Sequence, residues 1–349
     1  MRKEFILGKD IQTIHGSIHY ERHRYCCGKC GHKEYVYDAE MGLKKRATVS
    51  PKKEHILAAM ATQMTYEGAE KFYKELSSQT TSSTTIHRKT QQIAQKAQEK
   101  LIAKQQRNQV ENEDSKPHIS ADGVMIYLRT EGWKEARVGV VYEHNAEEGI
   151  LSNQGYIATL HSREEFGKLL YRLSNAPKQN KQKDMAYISD GAHWLWDIHR
   201  IHFRQATAIV DYYHASSYLW TLAKSFYGEQ TEKTKKWAEA KKEKLYKGSM
   251  RQLQADILKM VPKTDEQNKK WQSALTYFKN HGHKMNYSEY KKLGFHIGSG
   301  VVESSCKHLV QQRFKQSGMR WSRDGAERLL FLRSLRMNGQ WQEVLEMAA

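Results

Sequence analysis

The sequence predicts an α/β protein: a mixed five-stranded sheet with helices, preceded by a helical region and interrupted by an all-helical segment. Three observations predict it. Apolar residues change period after residue 117, from helical spacing to short alternating or continuous runs. Helical periodicity returns between those runs from about residue 163. Residues 228–292 then carry a Lys- and Glu-rich stretch with helical spacing throughout, marked by Trp237, Leu245, Leu253, Ile257, Leu258, Trp271, Leu275 and Phe278.

Residues 1–47 mix short alternating segments with a Cys cluster. A strand over His19–Tyr25 leads into Cys26, Cys27, Gly28, Lys29 and Cys30. Cys27 and Cys30 form a Cys-x-x-Cys knuckle on a Gly turn, half of a zinc ribbon. A structural zinc site needs four ligands. His15, His19, His23 or His32 would have to complete it, and the alternative is a reduced, metal-free cluster. Residues 48–105 read as helices. Pro51 follows Ser50 at a start, Ile56, Leu57, Met60 and Met64 share one face, and Ser82–Ile86 caps a long polar helix. This pattern fits a DNA-binding helix-turn-helix and equally any three-helix domain. Residues 106–117 are polar, end at Pro117 and read as a linker. Strands follow at 118–128, 135–144 and 155–161, a helix at 163–174, a strand at 185–190, a Trp- and His-bearing helix, a strand at 206–211, and a helix from about Tyr213. The order β-β-β-α-β-α-β-α is that of an RNase H-like domain over 118–349, with residues 228–292 as its helical insertion. Ala326–Met347 read as an amphipathic helix.

Composition narrows the partner. The 349 residues hold 57 Lys and Arg against 39 Asp and Glu, a formal charge of +18. The basic residues recur along the whole chain, which favours a polyanion, double-stranded DNA above all. Four Cys, three of them within five residues, do not make a disulfide framework. No apolar run approaches the ~20 residues of a membrane span. The expected location is the bacterial cytoplasm and nucleoid.

Against that basic background three acidic residues stand out. Asp122, midway along the first expected strand, and Asp190, at the end of the fourth, each precede a Gly, and Glu303 lies just inside a helix start. Singly each has a plain reading: an Asp-Gly turn, a helix cap, a dipole partner or an i,i+4 pair with Lys307. Together, in RNase H-like order, they are the set that would hold two Mg²⁺ (or Mn²⁺) roughly 3.5–4 Å apart for phosphodiester chemistry. Asp211 and His214 form an Asp-x-x-His element after the fifth strand. Arg313, Lys315, Arg320, Trp321 and Arg323 form a basic, aromatic cluster, expected to contact DNA phosphates and to stack a base.

The stretches SADG at 120–123, SDGAHWLWD at 189–197, DYYHA at 211–215 and GSGVVESSCKHLVQQRFKQSGMRWS at 298–322 resemble bacterial insertion-sequence transposases. The family named is the Kra-four insertion-sequence family, related to Mutator-like and P-element-like transposases. The resemblance implies an Asp-Asp-Glu triad of Asp122, Asp190 and Glu303, a helical insertion before the Glu, and Mg²⁺-dependent strand cleavage and transfer at element ends. It also implies a homodimer or larger synaptic assembly on DNA. Full-length members carry a further N-terminal Cys-x-x-Cys segment, so the expectation is a truncated copy or the product of a split reading frame. Two rivals remain: a non-catalytic end-binding repressor, and a structure-selective RNase H-like nuclease.

Overall fold

The computed structural model describes residues 1–43, 46–101, 115–175 and 184–346. In chain order the first elements are β1 (Arg2–Thr13), β2 (Gly16–Cys26), β3 (Lys33–Glu34), α1 (Val36–Glu40), α2 (Pro51–Gln63), α3 (Tyr66–Ser77) and α4 (Ser83–Leu101). There follow β4 (Ser115–Leu128), β5 (Gly132–Asn145), β6 (Ile150–Thr159), α5 (Arg163–Ser174), β7 (Ala186–Ser189), α6 (His193–His202), β8 (Thr207–Val210) and α7 (Tyr212–Tyr227). The rest is helical: α8 (Glu232–Tyr246), α9 (Met250–Leu258), α10 (Asp265–His281), α11 (Tyr287–Lys292), α12 (Gly300–Ser305), α13 (Gln312–Phe314), α14 (Arg323–Met337) and α15 (Trp341–Glu346). No described helix is long and apolar enough to cross a membrane.

The chain divides into two compact units. One takes Met1–Gln105, Tyr127–Trp133 and Gln311–Ala349, and the other takes Gln106–Ile126 and Lys134–Val310, as far as each is described. The described residues from 311 to 346 therefore group with the N-terminal helices, whereas the sequence places the sheet domain over 118–349. The reason is apolar packing. Ala58 of α2 and Ile93, Ala94 and Ala97 of α4 share a core with Phe331, Leu332 and Leu335 of α14. The tail correspondingly differs from the single amphipathic helix expected from Ala326 to Met347. Leu329 to Leu335 are buried without interruption, so α14 is enclosed on most sides, and the helix stops at Met337. Met347 itself lies outside the described residues.

In the first unit β1, β2 and β3 form an antiparallel sheet. Asp38 of α1 fastens it. This buried carboxylate accepts from Lys9 Nζ (2.9 Å), from Tyr20 Oη (2.7 Å) and from Arg22. Burial alone would raise its pKa, but these donors and the Lys9 and Arg22 charges outweigh it and hold the carboxyl below the usual range. Helices α2, α3 and α4 close on Leu57, Ala61, Ala69, Tyr73 and Ile86. Ser50 and Thr65 cap α2 and α3 by accepting from Lys53 N and Gly68 N.

The second unit is built on a five-stranded mixed sheet in the order β6-β5-β4-β7-β8. β5 and β6 pair antiparallel, whereas β7 pairs parallel to both β4 and β8. β5 is buried continuously from Val138 to Tyr142, as a central strand covered on both faces should be. Gly139 permits the close approach of α5, since a Cβ there would lie 2.7 Å from Leu170 Cδ1. A second core joins Ile188 and Ile209 of the sheet to Leu219, Leu222, Leu245, Leu253, Ile257 and Phe278 of α7–α10. The expected linker over 106–117 lies outside the described residues as far as 114. β4 starts at Ser115, so Pro117 sits in the strand, just before the paired stretch with β7 that begins at His118.

Candidate active site

The parallel pairing of β4 with β7 aligns the two aspartates. Ser120 is opposite Ile188, and Ser120 Oγ donates to Ile188 O at 3.0 Å. Asp122 and Asp190 each lie two residues further along strands running in the same direction. Asp122 is therefore a mid-strand residue and not the turn that Asp-Gly suggests in isolation. Its carboxylate accepts from Gly123 N (2.7 Å) and from the buried Cys306 thiol (3.7 Å).

Asp190 leaves the end of β7. Its Oδ1 accepts from Ala192 N at 3.0 Å, and Gly191 takes φ +113°, a value side chains rarely adopt. Tyr277 of α10 donates to the Asp190 carbonyl at 3.0 Å. Tyr277 in turn stacks on Tyr218 of α7, with centroids 4.0 Å apart, and His214 packs against both rings. His214 is thus half-buried support for the Asp190 backbone.

Glu303 lies in the first turn of α12. Its Oε1 accepts from Ser299 Oγ at 2.8 Å, within the segment that leads into the helix. Ser299 N donates to Asp211, and Asp211 also caps α7 by accepting from His214 N. Asp211 is fully buried and spends one oxygen on each bond. One carboxylate thereby ties the start of α7 to the segment that presents Glu303. After α12 the backbone forms a π-helical turn over Cys306–Gln311, a feature frequent at functional sites.

The three acidic residues share one electrostatic neighbourhood. The Asp122 pKa is raised first by burial and then by the negative charges of Asp190 and Glu303, against the lowering hydrogen bonds of Gly123 and Cys306. Burial and the charge of Asp122 push the Cys306 thiol up, so it stays a protonated donor. At the head of β4, His118 is fully enclosed. It donates to Lys116 O (2.7 Å), accepts from His296 N (2.9 Å) and stacks on Tyr142. Burial holds its pKa down at about 3, so it acts as a neutral pin between β4 and the segment leading to Ser299.

Among the described residues no three His, Cys, Asp or Glu are gathered into a ready-made ion site. For Cys27 and Cys30 this means that neither His15, His19, His23 nor His32 stands with them as a zinc set. His19 instead bonds Asp10 at 2.8 Å. The Cys27 thiol pKa is lowered by the backbone N–H groups of Cys30 and Lys29 on their Gly31 turn.

The basic cluster divides. Arg313 is 1% exposed and donates Nε to Ala61 O at 2.9 Å, so its guanidinium is enclosed and not presented on the open surface. Trp321, 8% exposed, packs on Phe314 and donates to its carbonyl at 3.2 Å, so its ring is core and not a stacking platform. Arg323 is held bidentately by Glu131 (2.8 and 2.6 Å). Lys315 and Arg320 are exposed as expected.

Residues 4–349 match the model of the uncharacterised protein family UPF0236. The chain belongs to this family. A curated UPF0236 relative from Streptococcus gallolyticus, described as the UPF0236 protein in the vanSb 3′ region, is 24% identical over 97% of this chain and 74% of its own length. The UPF0236 match reaches into both compact units, so β2, all of β1 beyond its first two residues, helices α2–α4 and the carboxylate site fall within it. Sequence reasoning found Asp122, Asp190, Glu303 and Asp211 but missed Ser299, Cys306 and His118. The Gly298-Ser299-Gly300 turn was the available signal for Ser299; His118 and Cys306 had none.

Proposed function

We propose that this UPF0236 chain is an insertion-sequence DNA transposase with an RNase H-like catalytic unit, using Asp122, Asp190 and Glu303. The observation that carries the reading is at Asp122: burial, then the charges of Asp190 at the end of the parallel neighbour strand and of Glu303 on a later helix, raise the pKa of this central-strand carboxylate, in a chain of net charge +18. Helices α8–α11, between β8 and α12, are then the insertion, and α2–α4 the helix-turn-helix-like reader of double-stranded DNA. A dimer or larger assembly would bring two element ends together.

The acidic set suits Mg²⁺ or Mn²⁺. A half-buried Asp122 crowded by two like charges is relieved by a divalent cation, and hard oxygen ligands match that cation. Bound there, the ions would lower the pKa of an attacking water or 3′-hydroxyl and stabilise the leaving 3′-oxygen. The chain supplies the positioning. Cys306 and Gly123 orient Asp122, Gly191 and Tyr277 fix the turn carrying Asp190, and Ser299 aims Glu303.

The test is cleavage of a labelled element-end duplex with Mg²⁺, comparing the chain with Asp190→Ala. Metal-dependent nicking that disappears in the variant supports the triad, and joined products with target DNA separate a transposase from a simple nuclease. Binding without cleavage in either protein would overturn the enzyme reading in favour of an end-binding repressor.

A further inference from the structure

A cavity of about 1010 Å³ lies within the first unit. Its wall holds the starts of three long helices: Thr65, the cap of α3; Ser83 and Thr84, the first residues of α4; and Ser322, the cap of α14. Helix starts present N–H groups without intrahelical partners and a partial positive charge. Three arginines, Arg129, Arg313 and Arg320, face the same space; the acidic residues beside it are Glu67 on the wall and Glu70, whose Oε2 accepts from Ser83 N at 2.7 Å. Arg313 is the second, independent sign of a ligand. It is 1% exposed, its Cζ sits 5.0 Å from the centroids of both Tyr66 and Trp321, and its Nη2 is buried with no hydrogen-bond partner. A buried guanidinium nitrogen left unpaired is costly unless something accepts from it. The charges of Arg129 and Arg313, after burial, also lower the pKa of His87 on the wall, as converging cations should.

We propose that this cavity is a phosphate-binding site, taking a phosphate group through Arg313 Nη2 and the three helix starts. Helix N-termini with Arg forks are a general means of holding phosphate. The volume leaves room for the sugar and base attached to that phosphate. The group arrives either on a nucleic-acid strand or on a free nucleotide. The site is distinct from the carboxylates and does not depend on their activity.

The experiment uses the full chain, inorganic phosphate followed by ³¹P NMR line broadening, AMP followed by calorimetry, and a fluorescein-labelled DNA duplex followed by anisotropy. The variants are Thr84→Glu and Arg320→Ala, both at exposed positions. Thr84→Glu places a carboxylate in the cavity mouth but favours the α4 dipole, so the helix should survive. Wild type should bind inorganic phosphate, and both variants should bind it at least about tenfold more weakly with unchanged melting temperature, Arg320→Ala by losing one charged contact and Thr84→Glu by adding one like charge. Parallel loss of duplex affinity assigns the phosphate to nucleic acid, whereas loss of AMP affinity with duplex affinity intact assigns it to a free nucleotide. Absence of phosphate binding in wild type, or equal binding by both variants, overturns the proposal. Cleavage is not read, so this failure is separate from failure of the Asp190 test.

Discussion

Replacing Asp211 should loosen two distant segments at once. Its carboxylate accepts from His214 N, capping α7, and from Ser299 N, 88 residues away. Asp211→Ala removes the cap, a loss of about 1–2 kcal/mol. It also leaves a buried Ser299 N–H unpaired, at about 1–3 kcal/mol. The expected destabilisation is therefore about 2–5 kcal/mol, a large share of the ~5–15 kcal/mol that holds a domain together. Asp211→Asn keeps one acceptor oxygen but turns an N–H₂ toward the other donor, so it should fall between the variant and wild type. Denaturant unfolding gives the size of the effect. Hydrogen exchange gives its location: amides at Ser299 and His214 should lose protection together in Asp211→Ala, while β1 and β2 keep theirs. A destabilisation under about 0.5 kcal/mol, the range of neutral surface changes, would refute the reasoning. So would loss of protection at only one of the two amides.

Asp122 tests the opposite sign. Its folded pKa is raised, so its favourable contribution exists below the ordinary carboxylate pKa and is lost as pH rises through the raised value. Asp122→Asn should therefore melt higher than wild type at pH 7 and match it in acid, while losing nicking; equal melting at both pH values would contradict this. Asp38 is held low, so its contribution is present above the ordinary carboxylate range and disappears as pH falls through the depressed value. Acid should release the β1–β2 hairpin in wild type, seen as loss of exchange protection there, whereas Asp38→Asn should show little further pH dependence. Gly139→Ala should cost about 1–3 kcal/mol by overpacking, because its methyl meets Leu170, Ile157 and Phe166 within 3.1 Å. A melting temperature unchanged from wild type would show that α5 can move away freely.

Much of the sheet was legible because its strands are buried and its helices amphipathic. The expected helix at 163–174 coincides with α5, the first two meander strands fall within β4 and β5, and the third, expected over 155–161, overlaps β6 but runs past its end at Thr159. The β1–β2 hairpin was harder. β1 is exposed along most of its length, with Phe5, Ile6 and Leu7 turned to solvent, and β2 is only partly covered, so no clear alternation marks an inward face. Arg313 and Trp321 misled for a related reason. In sequence they sit in a polar, Gly-bearing stretch, but packing of the described residues from 311 to 346 with the N-terminal helices turns both inward. The double use of Asp211 was beyond sequence reasoning altogether. A capping Asp looks the same whether its second oxygen meets water or a backbone N–H from another segment.

The acidic site sits in tension with the rest of the molecule. Burial and two neighbouring acidic residues make the ionised form of Asp122 unfavourable, and nothing in folding requires that arrangement. Three separate devices nevertheless hold it: the Cys306 thiol on Asp122, the positive-φ Gly191 turn under Asp190, and the Asp211–Ser299–Glu303 chain. None of the three lowers the mutual repulsion; each fixes the direction of one carboxylate. Rigid like charges are the form a site takes when the compensating charge is to come from outside the chain. That is the physical reason to look first for a divalent cation there, and, under the proposed function, to test the basic remainder of the chain as the surface for a polyanion.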